Sequence, residues 1–157
     1  MPLTRIKFSS QALNLFNSEI LEYGRIETGG VLIGNTSEDT IYVEKASNGG
    51  TNAIHELLYF RADPNFIDMF IDMEVANSKC QLRYLGEWHT HPEVIPAPSI
   101  KDLQSLNEIA DSSDDFCILL IIGNKDFSPG AFIEQSISLI QENGNDNVYV
   151  LEASDIK

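Results

Sequence analysis

Cysteine, tryptophan and basic residues are all scarce in this 157-residue chain: two cysteines, one tryptophan, and ten lysines and arginines against 24 aspartates and glutamates. Cys80 and Cys117 are far apart with no metal-type pairing, and Cys117 sits inside the apolar run FCILLII. A buried thiol in a reducing, cytoplasmic setting is therefore expected, rather than a disulfide framework. The formal net charge of −14 repels phosphate backbones, which argues against nucleic acid as a partner. It suits a basic partner, or simply solubility. Apolar runs stay short of the ~18 residues a membrane helix needs, and no basic, apolar leader opens the chain. Neither a membrane span nor a signal peptide is expected. Repeats, low-complexity tracts and linkers are missing too, so residues 1–157 read as a single domain large enough to bury a core.

What is present is a mixed series of helices and strands. Residues 9–23, SSQALNLFNSEILEY, carry serine caps and place Leu13, Phe16 and Ile20 at helical spacing. TGGVLIG and TIYVEKA read as strands around the polar turn NTSED, and HELLYFRA as a third strand after the loop SNGGTNA. A second helix spans 63–79, with Asp63 as cap, Pro64 at its first position, and Phe66, Phe70 and Met73 on one face. CQLRYLGEWHTH is strand-like. Residues 99–113 form a third helix with Leu103, Leu106 and Ile109 or Ala110 inward. FCILLIIG reads as a strand buried on both faces, with PGAFIEQ and NVYVLEA as further strands. Such mixing predicts an α/β or α+β fold, one central sheet covered by helices.

The segment GEWHTHPEVIPAPSIKD concentrates the chemistry. Side chains two apart in a strand share a face, so His89 and His91 present two imidazoles together, while Trp88 points the other way into the core. Two imidazoles and one carboxylate would make a three-ligand metal set with a fourth position open. Asp102, one turn into the third helix beside Ser99, is the candidate carboxylate. Ser99-Ile-Lys-Asp102 is equally a capping-box-like start to that helix, and both readings can hold at once. The proline-rich stretch between them stiffens the connection, or is only a rigid surface turn. Glu27, at a strand edge beside Gly29 and Gly30, could serve as a general base, or be one solvated acid among many. His55 reads as a hydrogen-bonded structural histidine, with shaping of a substrate groove as the alternative.

Glu27, the distant His89-x-His91, a seven-residue spacer, Ser99, two residues and Asp102 together resemble the motif of the JAMM (JAB/MPN+) zinc metallopeptidases. ETGGVLIG is similar to that family's first strand and GEWHTHP to its histidine strand. The resemblance implies an MPN/JAB, cytidine-deaminase-like fold with a central mixed sheet flanked by helices. It implies one catalytic Zn2+ held by His89, His91 and Asp102, Glu27 as general base and then acid, and Ser99 positioning water or stabilising the oxyanion. ASNGGTNAIHELLYFRAD and YLGEWHTHPE…PAPS further resemble bacterial stand-alone JAB peptidases of anti-phage, CBASS-like operons. That likeness implies cleavage of the amide bond after the C-terminus of a ubiquitin-like modifier or a conjugated nucleotidyltransferase-like protein. It also implies operon-encoded activating-like and conjugating-like enzymes as partners.

Other functions leave other signatures. A nucleoside deaminase needs His-x-Glu and Pro-Cys-x-x-Cys elements, and neither is present. A non-catalytic MPN-type scaffold would be expected to have lost ligands that survive here. A JAMM peptidase processing sulfur-carrier proteins would share the site and differ only in its groove.

Overall fold

The computed structural model describes residues 5–92, 99–112, 116–123, 136–142 and 148–152. Its elements, in chain order, are β1 (Arg5–Phe8), α1 (Ser10–Tyr23), β2 (Gly29–Ser37), β3 (Thr40–Ala46), β4 (Ile54–Glu56), β5 (Tyr59–Arg61), α2 (Pro64–Asn77), β6 (Arg83–His91), α3 (Ile100–Ser112), β7 (Phe116–Gly123), β8 (Ser136–Glu142) and β9 (Val148–Glu152). Seven strands form one sheet in the order β1-β3-β2-β6-β7-β8-β9, and β4 pairs with β5 separately. β1 runs parallel to β3 and β6 parallel to β7, the other neighbours being antiparallel. The fold is thus the expected mixed α/β arrangement.

Parallel neighbours need a crossover, and α3 supplies the one between β6 and β7. β7 shows why its sequence is apolar without interruption. Ile118, Leu120 and Ile122 enter the main core with α1, while Cys117, Leu119 and Ile121 pack with Leu106 of α3. Both faces are covered, so neither can carry polar residues.

The first helix begins where Ser9 accepts a hydrogen bond from the Ala12 amide, and it ends at Gly24, whose φ of 59° favours glycine. Its buried face is Ala12, Phe16, Glu19 and Ile20. Phe16 packs edge-on against Phe8 and Trp88, with ring centroids 5.6 and 4.7 Å away. Trp88 is buried and its indole donates to the Ser47 carbonyl at 2.8 Å. A Cβ on Gly30 would lie 2.0 Å from that same oxygen, so only glycine lets β2 run so close to the 47–48 turn.

Two expectations need correction. HELLYFRA is a hairpin, not one strand: Leu57 and Leu58 form its turn, 54% and 73% exposed. Leu103 is also exposed rather than inward, and Leu106 alone of that pair is buried. α2 is capped by Asp63 and led by Pro64 as expected, yet buries none of its residues fully. PGAFIEQ lies outside the described residues, whereas Val148–Glu152 is a strand.

Replacing Trp88 by Phe removes ring volume from the core and the donor for a buried carbonyl. Urea unfolding followed by circular dichroism should show a loss of about 2–4 kcal/mol.

Candidate metal centre

The site lies at the carboxyl end of β6, where α3 begins, the usual place for a crevice beside a parallel pair. Along β6, Trp88 and Thr90 turn to the buried side, and His89 and His91 share the opposite face. Gly29 pairs with His89 across β2 and β6. A Cβ there would sit 2.3 Å from the Trp88 carbonyl and 2.9 Å from the His89 Cβ, so the neighbouring strand must carry glycine.

The β2–β6 contact continues past Gly29 through two threonines. The Thr28 amide donates to Thr90 Oγ1 (3.1 Å) and the Thr90 amide to the Thr28 carbonyl (2.8 Å). Thr28 Oγ1 in turn donates to the buried carboxylate of Glu19 at 2.7 Å. Both threonines are buried, so this lock is shielded from water. It holds Glu27 alongside His91, with Glu27 Oε1 3.9 Å from His91 Nε2.

Asp102 comes from α3. Its Oδ1 is 3.2 Å from His89 Nε2 and its Oδ2 3.3 Å from His91 Nε2, and the two Nε2 atoms are 3.0 Å apart. Asp102 also forms the helix cap: the Ser99 amide donates to Oδ2 (2.7 Å) and the Asp102 amide to Ser99 Oγ (3.1 Å). The cap and the convergence on the histidines coexist, because a carboxylate has lone pairs for both. Burial works to raise the Asp102 pKa, but the two imidazoles and the Ser99 amide outweigh it and hold the carboxyl well below its usual range. Ser99 Oγ accepts within the cap, which leaves its own proton to donate elsewhere.

Around a tetrahedral ion with metal–ligand distances near 2.0–2.1 Å, donor atoms stand about 3.3 Å apart. The two imidazole nitrogens and their nearest Asp102 oxygens lie near that spacing, with each histidine facing a different carboxylate oxygen. One donor atom from each of the three residues lies within 4.8 Å of the other two, and among the described residues these are the side chains brought together in this way. Donor set and geometry therefore fit a small divalent cation.

Glu27, His89, His91, Ser99 and Asp102 all line one cavity of about 890 Å3. Its other walls come from the β4–β5 hairpin, the start of α2 and the first turns of α3. Lys101 reaches across to Tyr59, its Nζ 5.7 Å from the ring centroid. Sequence reasoning missed the hairpin's part in this wall, because Leu57 and Leu58 read as strand interior. It missed Glu87 as well, a cavity-lining residue whose carboxyl burial pushes above its usual pKa. Alternation with His89 was the signal that could have revealed it.

Residues 14–137 match the family of prokaryotic homologues of the JAB domain. The chain belongs to that family. It is 34% identical over 126 residues to a CD-NTase/cGAS isopeptidase of Enterobacter hormaechei, covering 77% of this chain and 68% of that protein. A CD-NTase/cGAS isopeptidase of Vibrio cholerae is 33% identical, with 74% of each chain covered. A probable metalloprotease of Sinorhizobium fredii is 32% identical, covering 70% of this chain and 71% of the relative. A Desulfitobacterium hafniense protein solved in solution shares the fold, with a TM-score of 0.67 at 19% identity over 97% of this chain and 91% of that one.

The geometry of this JAB domain predicts one equivalent of divalent metal in purified protein by elemental analysis. His89→Ala and Asp102→Ala should each lower occupancy at least tenfold at the same free metal concentration, since each removes one of three donors. Full occupancy in both variants would count against this ligand set.

Proposed function

We propose that this JAB domain is a zinc-dependent isopeptidase that cleaves the amide bond after the C-terminus of a conjugated protein. The observation that carries the reading is the convergence of His89, His91 and Asp102, with the Glu27 carboxylate beside His91, inside a cavity of about 890 Å3. When bound, zinc would supply Lewis-acid activation of water and of the scissile carbonyl. His89, His91 and Asp102 would hold it. Glu27 would take the proton of the attacking water and pass it to the departing amine, so that one carboxylate serves as base and then acid. The Ser99 hydroxyl, its oxygen engaged by the Asp102 amide, would donate its proton toward the oxygen that gains charge at the scissile carbon.

The groove suits a peptide tail. β5 is a short strand in the cavity wall, and Tyr59, Phe60 and Arg61 line that wall. An extended C-terminal tail can add beside such a strand through main-chain hydrogen bonds, which demand little of its side chains. The relatives named as CD-NTase/cGAS isopeptidases support a nucleotidyltransferase-like protein as the conjugated partner; the anti-phage setting is what the sequence resemblance implies. A ubiquitin-like modifier would present the same kind of tail. The two unpaired thiols, Cys80 and Cys117, suit action in the cytoplasm.

The test is cleavage of a CD-NTase-like protein fused through its C-terminus to a reporter. The metal-loaded wild type should release the reporter, and a chelator should stop it. Glu27→Gln should keep its metal and lose about 10²–10⁴-fold in rate. An undiminished rate in Glu27→Gln would remove the proposed base, and chelator-insensitive cleavage would remove the metal mechanism. Faster processing of ubiquitin-like or sulfur-carrier fusions would reassign the substrate and leave the chemistry standing.

A further inference from the structure

Glu27 lies ahead of β2, two residues before the sheet begins. Its carboxylate therefore depends on whatever fixes the backbone of residues 26–28. The Glu27 amide donates to the Glu56 carbonyl at 2.9 Å. The Glu27 carbonyl lies 3.1 Å from His55 Nδ1, and because a carbonyl can only accept, Nδ1 must carry the proton. Both backbone groups of Glu27 are thus bound by consecutive residues of β4, one through main chain and one through an imidazole.

The imidazole is itself held. It stacks on Tyr23 with centroids 3.8 Å apart and planes 11° from parallel, and Phe60 stands 5.3 Å away on a tilted ring. Tyr23 belongs to α1, and its carbonyl also accepts the Ile26 amide at 3.0 Å. His55 lines a second, smaller cavity of about 340 Å3 with Glu19 and Tyr23, whereas Glu27 lines the larger one. The ring accordingly touches the backbone of Glu27 from behind and stands outside the wall of the groove.

We infer that His55 is a positioning residue for Glu27: its Nδ1–H, oriented by the Tyr23 stack, braces the Glu27 carbonyl and so aims the carboxylate at the point where His89, His91 and Asp102 meet. This rests on the reading of Glu27 as the general base. A side chain behind a catalytic group acts on rate through geometry, and misplacement by about 1 Å can cost about 10²-fold. Binding of substrate, which takes place on the other side, should be spared.

Two variants separate the hydrogen bond from the ring. His55→Phe keeps an aromatic stack on Tyr23 and removes the donor; His55→Asn offers an amide N–H near the place of Nδ1. We expect His55→Phe to retain its metal and its KM while kcat falls about 10- to 100-fold, and His55→Asn to recover most of that loss. In the Glu27→Gln background, His55→Phe should add no further loss. A readout independent of activity is amide hydrogen exchange in metal-free protein, where His55→Phe should speed exchange at Glu27 and Thr28 and His55→Asn should restore protection. Wild-type kcat in His55→Phe, a raised KM at constant kcat, or unchanged exchange at both amides would overturn the brace. Full activity in Glu27→Gln would instead overturn the base assignment, while exchange still reports whether His55 holds the segment.

Discussion

The antiparallel pairing of β2 with β6 is the constraint on which the site depends. It sets Gly29 against His89, and the Thr28–Thr90 bonds extend it by one more residue pair. Without that extension the segment carrying Glu27 would be tied to β4 but not to β6. With it, a carboxylate distant in sequence stands 3.9 Å from His91 Nε2. The pairing is in turn fixed by the core beneath it. Trp88 cannot shift register without losing both its contact with Phe16 and its bond to the Ser47 carbonyl, and a slip by one residue would turn the histidines inward.

Asp102 joins two roles that sequence patterns usually keep apart. As a capping residue it satisfies the Ser99 amide and starts α3. As a carboxylate beside two imidazoles it completes a set of three donors. The same lone pairs that lower its pKa make it a ready partner for a cation, and the cap holds them in place. The first turn of α3 thus meets the histidines at the carboxyl end of β6.

Much of this was legible in the residues because the relevant rules are local. Alternation along GEWHTHP put Trp88 in the core and both histidines on the other face. The continuous apolar run of residues 116–122 marked a strand covered on both sides. Ser99-x-x-Asp102 marked a helix start. The hairpin was not legible, since HELLYFRA has a strand's composition and nothing in it announces that Leu57 and Leu58 turn outward. Propensity describes what a residue tolerates, and here the tertiary setting uses an apolar pair at an exposed turn beside the groove. The link from His55 to Glu27 was equally hidden, because a side chain bonding to a distant carbonyl leaves no periodic trace.

The three candidate ligands come from two elements of different character, and that difference bears on how the site would work. His89 and His91 sit on a strand tied to the core on both sides, so their positions are set by packing that no ligand need supply. Asp102 sits in the first turn of a helix whose neighbours Ile100 and Leu103 are exposed, 77% and 38%. A cation shared among them would cross-link the rigid part to the exposed part, so metal affinity and the order of the α3 start become one equilibrium. The same helix turn supplies Ser99 and Lys101 to the cavity wall. One ion would therefore hold in register the carboxylate, the hydroxyl and that edge of the cavity.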